Sequence, residues 1–303
     1  MKLGILANEG SWYWADLARA ASLLGHSCVR LDFDRLAAST GSDGTNARSI
    51  PFLSPTPNDG PQSLSGFDAV IVRTMPPGSL EQVVFRMDAL ARLENTGTFV
   101  VNPPRSIECA VDKFLTTARL EAAGLPVPRT VTCQDSETAM QAFEALGGDV
   151  IVKPLFGAEG RGICRVSDPD LAFRTFRTLE RIDAVLYLQE FIRHPGHDVR
   201  VLVLGGEIVG SIRRYSDTDF RTNVARSGRA EVHSPTPDEQ QLALAASDAT
   251  GTDFAGIDLL YDDSGRCFVI EVNAVPGWQA FQRTTGIDVA SRFLSWIERR
   301  CRC

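Results

Sequence analysis

Gly256-Ile257-Asp258-Leu259-Leu260 is followed, across Asp262-Asp263-Ser264-Gly265, by Phe268-Val269-Ile270-Glu271-Val272-Asn273. Both flanking stretches are rich in residues that strands bury, and each carries a carboxylate that burial penalises unless it is paired. The Asp/Ser/Gly segment between them reads as a tight hairpin turn. With Ser264-Gly265 as a two-residue turn, Asp258 falls opposite Glu271, and Asn273 shares the face of Glu271 because strand side chains alternate. Two carboxylates and an amide oxygen then converge on one sheet face, a hard-oxygen set suited to Mg²⁺. A slip of one residue would send Asp258 to the other face. The alternatives are a solvated hairpin face or an acid pair hydrogen-bonded to backbone.

Working outward, 303 residues suffice for two or three small domains, and 44% hydrophobic with 23% charged content is globular. A formal net charge of −7 argues against nucleic-acid and membrane-surface partners. No apolar run reaches the length of a transmembrane helix, and Met1–Asn8 is too short and too soon interrupted for a signal peptide. It reads as a first buried strand. Seven dispersed cysteines without a Cys-x-x-Cys pair read as reduced thiols of a cytoplasmic protein, and four histidines lack zinc spacing. Of 31 basic residues only Lys2, Lys113 and Lys153 are lysine. A compact ammonium on a flexible stem suits single phosphate contacts, which draws a functional reading to Lys113 and Lys153.

The order of elements predicts an α/β (α+β) chain. Strands near 3–7, 28–33, 68–73 and 98–101, with helices near 12–24 and 79–95, predict a small parallel α/β domain over residues 1–104. Residues 37–66, rich in Ser, Gly, Pro and Asn, read as a surface insertion, with a substrate lid as the alternative. Asn102-Pro103-Pro104 closes this region, and Asp112 caps a helix over 112–123. A second unit, 105–192, follows with strands 149–154, 162–166 and 185–191 and helices 136–147 and 169–181. The third, 193–303, is mainly antiparallel: Val199–Leu204 and Glu207–Tyr215 flank Gly205-Gly206, a hairpin signal, and helices follow at 238–250 and 287–300.

The loop Lys153-Pro154-Leu155-Phe156-Gly157-Ala158-Glu159-Gly160-Arg161-Gly162 joins two strands, and its three glycines leave bare amides that can cup an anion. It lacks the Gly-Lys-Ser/Thr ending of a Walker loop, and a strand rather than a helix follows it. Tyr187-Leu188-Gln189-Glu190-Phe191-Ile192 ends a strand where a flat base could bond to side-chain and backbone groups; an ordinary strand end is the plainer reading. In Asp198-Val199-Arg200 the two charged residues share a strand face and could pair with each other. Arg213-Arg214 and Arg221-Thr222-Asn223 lead into the acidic hairpin, where positive charge near phosphate makes sense.

Taken in order, these pieces resemble the ATP-grasp superfamily and, within it, the RimK-like amino-acid ligases. The resemblance rests on Asp112-Lys113 with Gly124-Leu125-Pro126-Val127-Pro128, Val152-Lys153-Pro154 with its glycine loop, Gln189-Glu190-Phe191-Ile192, Asp198-Val199-Arg200-Val201, Arg221-Thr222-Asn223, Gly256-Ile257-Asp258 and Glu271-Val272-Asn273-Ala274-Val275-Pro276-Gly277. It covers about residues 100–303 in motifs and the first hundred in pattern only. It implies an ATP-grasp fold: an N-terminal preATP-grasp domain, then central and C-terminal domains gripping ATP between two antiparallel sheets.

By that resemblance Lys113, Lys153 and the loop glycines Gly157, Gly160 and Gly162 would contact the ATP phosphates. Gln189, Glu190, Phe191 and Ile192 would hold adenine, and Asp198 would lie near the ribose. Asp258, Glu271 and Asn273 would ligate one or two Mg²⁺ (or Mn²⁺) ions. Arg214, Arg221 and Asn223 would face the γ-phosphate and the reacting carboxylate. Val275 departs from relatives that carry Ser or Thr there. The implied reaction is ADP-forming amide ligation through an acylphosphate. It would add an amino acid such as glutamate to a protein C-terminus or to a cofactor tail of F420 or methanopterin type, in a homodimer or homotetramer. The alternatives are a non-catalytic ATP-binding protein and a small-molecule kinase on the same scaffold. Arg73 and Arg226 are candidates to bind an acidic acceptor, against a plain structural role for each.

Overall fold

The computed structural model describes residues 1–38, 64–157, 161–216 and 229–302. The predicted insertion at 37–66 therefore falls largely outside the described residues, as do Gly160, Arg221, Asn223 and Arg226.

The first unit is a parallel sheet of four strands, β1 (Lys2–Leu6), β2 (Ser27–Leu31), β3 (Ala69–Val72) and β4 (Phe99–Val101), in the order β2-β1-β3-β4. Helices α1 (Trp12–Leu23) and α2 (Leu80–Glu94) connect its strands; Ser79 closes a capping box with Gln82 at the start of α2. Sequence reasoning placed one helix at 112–123, but two are present: α3 (Pro104–Val111) and α4 (Lys113–Ala122). Pro104 takes the first helical position, where a missing N–H is harmless, so Asn102-Pro103-Pro104 opens a helix. Asp112 ends α3 in an extended conformation and caps α4 by accepting from Leu115 N at 2.9 Å.

The second unit is an antiparallel sheet, β5 (Thr130–Cys133), β6 (Val150–Lys153), β7 (Cys164–Val166) and β8 (Leu186–Glu190), ordered β5-β8-β6-β7. It is backed by α5 (Ser136–Ala145) and α6 (Pro169–Glu180), whose Phe143 and Phe176 fill its core.

The third unit is a five-stranded antiparallel sheet formed by β9 (His197–Leu204), β10 (Glu207–Tyr215), β11 (Ala230–His233), β12 (Phe254–Tyr261) and β13 (Cys267–Asn273), ordered β11-β10-β9-β12-β13. One face packs Val199, Val201, Val203, Ile257, Leu259, Val269 and Val272 into a core with α7 (Pro237–Thr250). The sheet joins the first unit through a second core, in which Leu3, Ile5 and Leu17 meet Phe254, Trp278 and Phe281, Trp278 preceding helix α8 (Gln279–Thr285). Phe293 and Trp296 of helix α9 (Val289–Arg302) complete it.

The decisive hairpin differs from its expected geometry in one respect. Its turn holds three residues, Asp263 to Gly265: Asp262 N donates to Arg266 O at 3.0 Å, and Gly265 has φ +85°. That moves the pairing by one, to Leu259↔Val269, and would turn Glu271 toward the apolar core. A bulge at Ile270 restores Asp258↔Glu271. Val269 and Val272 thus both enter the core while Glu271 stays opposite Asp258.

At the β9–β10 turn, Gly205 (φ +58°) packs so tightly that a Cβ would lie 2.0 Å from Trp296 Nε1, whereas Gly206 (φ +79°) has open space. Gly206→Ala is expected to cost only the left-handed backbone penalty of about 1 kcal/mol. Gly205→Ala adds a steric clash and is expected to cost about 3 kcal/mol. Urea unfolding midpoints of the two variants check the difference.

Candidate active site

One cleft separates the second and third sheets, and Lys113, Lys153, Gln189, Asp198, Asp258 and Glu271 all line it. Gly157, Glu190, Phe191 and Ile192 also contribute to its wall. Ten of the residues singled out by sequence are thus brought together. Gly162 (φ +73°) borders the glycine loop, Arg214 reaches the site through its ion pairs, and Asn273 follows Glu271 on β13.

On the third sheet, cross-strand register builds the charged face. Arg200 stands opposite Asp258, and Arg214 opposite Asp198. Asp258 is 1% exposed, and its oxygens accept from Arg200 Nε and Nη2 at 2.7 Å each. Arg214 Nε and Nη2 bond the two Asp198 oxygens at 2.8 and 2.5 Å, and Nη2 also lies 2.9 Å from Asp258 Oδ2. Asp198 and Arg200, two apart on one strand, therefore do not pair with each other as their shared face suggested. Each finds its partner across the ladder, where planar guanidinium and carboxylate meet edge to edge. Burial opposes ionisation of Asp258, but Arg200 and Arg214 outweigh it and hold the carboxyl at about 2.

Glu271 behaves differently. Burial and then the neighbouring Asp258 charge push its pKa up, against Arg200, Lys153 and Lys113. No hydrogen bond to its carboxylate occurs among the described residues. Asn273 Oδ1 accepts one bond, from Val275 N at 2.9 Å, and Asp258 Oδ1 accepts one from Arg200. Open lone pairs on two carboxylates and an amide fit a small hard cation that completes its shell with phosphate and water. Among the described residues no cluster of three His, Cys, Asp or Glu side chains suits a metal, so amide and substrate oxygens would have to supply the rest of the shell.

On the second sheet, Lys153 Nζ donates to Gln189 Oε1 at 2.6 Å. The same amide donates to Thr130 Oγ1 at 3.0 Å and to Tyr187 OH at 3.2 Å, and Tyr187 OH meets Thr117 Oγ1 at 2.8 Å. This chain of partners fixes which end of Gln189 faces the lysine. Burial pulls Lys153 down to about 8, with Glu271 opposing and Lys113 assisting. Lys113 is lowered by burial too, and its Nζ donates to Gly157 O at 3.0 Å, holding the start of the glycine loop.

Other expected nucleotide contacts are occupied. The Glu190 carboxylate accepts from Arg129 N and Nε at 2.9 and 2.7 Å, and Phe191 N donates to Asp149 O at 3.0 Å. Phe191 carries the Arg165 guanidinium 3.6 Å from its ring centroid. Thr130, Thr117 and Arg129 were missed by sequence reasoning: each supports another residue across a fold contact, and nothing local marks it. Tyr187 stands two residues before Gln189 on β8, so strand alternation could have marked it as a partner. Arg73 lies buried beneath the loop after β13, hydrogen-bonded to Pro276 O, rather than displayed at an open strand end.

The similarities of the chain to known proteins agree with this geometry. A family model described as the RimK-like ATP-grasp domain matches residues 110–297. The tetrahydromethanopterin:alpha-L-glutamate ligase of Methanosarcina acetivorans is 32% identical, with 98% of each chain covered. The ribosomal protein bS6–L-glutamate ligase of Escherichia coli O81 is 31% identical, over 99% of this chain and 96% of that protein. In fold, the chain resembles the ATP-grasp ligase PsnB solved with minimal precursor, Mg and ADP (TM-score 0.75, 22% identity, 99% of this chain and 97% of that one). It also resembles a RimK domain ATP-grasp protein from Sphaerobacter thermophilus (TM-score 0.73, 23% identity, 98% and 99% covered).

A phosphate bound next to Lys153 would favour its charged form, so a free lysine titrating at about 8 would have to take up a proton to bind at higher pH. Affinity for metal-free ATP is expected to be flat below that pH and to fall by up to about tenfold per unit above it. Calorimetric titration across the range tests this, and Lys153→Arg is expected to flatten the profile.

Proposed function

This chain belongs to the RimK-like ATP-grasp family and is an ATP-dependent carboxylate–amine ligase; we propose that it joins glutamate to the carboxylate of a cofactor tail or a protein C-terminus. The observation that carries the reading is the meeting of two half-sites in one cleft: lysines from the second sheet and α4 face oxygen donors on the third. The two ligases compared above, which span nearly the whole chain, support glutamate as the amine and both acceptor classes.

A carboxylate acylates poorly because its oxygen is a poor leaving group. Transfer of the γ-phosphoryl group of ATP to that oxygen makes an acylphosphate and releases ADP. The amino group of the second substrate attacks the acyl carbon, a tetrahedral intermediate collapses, and phosphate leaves with the C–O bond electrons. The amine sheds its extra proton as the amide forms. In this scheme Lys113 and Lys153 bind phosphate oxygens, with the amides of Gly157, Gly160 and Gly162 around them. Gln189, Glu190, Phe191 and Ile192 lie against adenine, and Asp198 lies near the ribose. Asp198 and Asp258 are paired with arginine, which balances their charge within the cleft. Arg214, Arg221 and Asn223 face the transferred group and the acceptor carboxylate.

Asp258, Glu271 and Asn273 would hold Mg²⁺ or Mn²⁺, one ion or two. Bound there, the metal would supply charge neutralisation at the phosphoryl group. The ligase scheme needs no enzyme nucleophile. Assembly as a homodimer or homotetramer is part of the proposal.

The test supplies MgATP with glutamate and, separately, other amino acids against a panel of acidic acceptors, following ADP, phosphate and product mass. Ligation is expected to require both acid and amine, and Glu271→Gln is expected to abolish it. A stable phosphorylated acid formed without amine would replace the ligase by a kinase. Tight ATP binding with no turnover across the panel would favour a non-catalytic protein.

A further inference from the structure

Arg73 follows β3 at the C-terminal edge of the parallel sheet, its backbone N donating to Leu6 O at 2.9 Å. Its side chain is 7% exposed. The guanidinium lies 4.3 Å from the Trp278 ring centroid and 5.0 Å from that of Tyr13, and Nη2 donates to Pro276 O at 2.7 Å. Among the described residues it forms no ion pair and its buried Nε–H finds no acceptor. A buried cation without a counter-ion is expensive, and two aromatic faces with one carbonyl return only part of that cost. Mere filling of this space would be served better by an apolar side chain. What arginine adds is a charge-assisted hydrogen bond aimed at a single carbonyl.

That carbonyl lies in the segment leaving β13, which has no ladder partner to fix it. Asn273 Oδ1 accepts from Val275 N, so the direction of its amide depends on where Val275 sits. The carbonyls on either side of Val275 are both held from the first unit: Ala274 O by Asn102 Nδ2 at 2.5 Å, and Pro276 O by Arg73. Asn102 is itself immobilised, donating to Phe254 O and accepting from Asp253 N and Phe254 N. Glycine at 277 allows the close approach: a Cβ there would lie 2.5 Å from Tyr13 OH.

We propose that Arg73 is a positioning residue for the metal site: by gripping Pro276 O it sets Val275 N and, through it, the Asn273 carboxamide. The proposal rests on the reading of Asp258, Glu271 and Asn273 as metal ligands and adds that the first sheet, outside the nucleotide-gripping sheets, sets one of the three.

Mn²⁺ titration of the ADP complex by electron paramagnetic resonance tests this, with Arg73→Met keeping the stem and losing the donor. Mn²⁺ affinity is expected to fall roughly tenfold or more, as when the partner of a metal ligand is removed. The affinity of metal-free ATP, held by Lys113 and Lys153, is expected to stay unchanged. Arg73→Lys, which keeps a cationic donor, is expected to recover part of the loss, and it takes over as the test variant if Arg73→Met does not fold, with a smaller loss of the same kind expected. Unchanged Mn²⁺ affinity in a folded variant overturns the proposal whatever happens to turnover. So does an equal loss of Mn²⁺ and metal-free ATP, which marks general loosening. Absence of Mn²⁺ binding by the wild-type ADP complex would instead sink the metal-site reading itself.

Discussion

An ionised carboxylate at 1% exposure in the middle of a five-stranded sheet is tolerated only with cations at hydrogen-bond distance, and Asp258 has two. Its bidentate bond to Arg200 and its contact with Arg214 tie β12 to β9 and β10 through side chains, on top of the backbone ladder. Removing either arginine would take away part of that compensation, a loss of up to about 3–5 kcal/mol for buried pairs. The same ion pairs explain why an acid-lined face can be buried in this cleft. Glu271, next in the row, makes no hydrogen bond through its carboxylate among the described residues, and its pKa is raised. The face is therefore balanced on one side and open on the other, and the opening lies where lysines from the opposite sheet converge.

Much of this was readable from sequence because the informative residues violate their surroundings. Asp258 and Glu271 stand out in apolar strands, and Lys113 and Lys153 stand out in a chain that otherwise uses arginine. Strand alternation is a local rule, so the shared face of Glu271 and Asn273 followed from it. The partners of these residues were not readable, because pairing across a ladder depends on register. Arg200 was set against its strand neighbour Asp198, yet register gives it to Asp258. The same limit hid Arg129 beneath Glu190 and the hydroxyl of Thr130 behind Gln189. Helix α3 was missed because Pro103-Pro104 looks like a terminator, although proline in a first turn is a beginning.

The first unit is more than an appendage. Its hydrophobic core is continuous with that of the third sheet through Trp278, Phe254 and Phe293, and two polar residues at the ends of β3 and β4 reach across the junction. Placing Arg73 and Asn102 at the C-terminal edge follows the general habit of parallel sheets, where strand ends present functional side chains. Here they meet neighbouring backbone.

The bulge at Ile270 has a consequence for how such a chain tolerates change. A three-residue turn and one extra residue in the returning strand together keep Asp258 opposite Glu271. A residue inserted at the tip can be absorbed by a longer turn, with the bulge and the Asp258↔Glu271 pairing kept. An extra residue between Val269 and Glu271 has no such outlet, and unless the bulge changes with it Glu271 turns to the core face. The hairpin can therefore vary in length at its tip but not along the returning strand, where the bulge decides which face Glu271 takes.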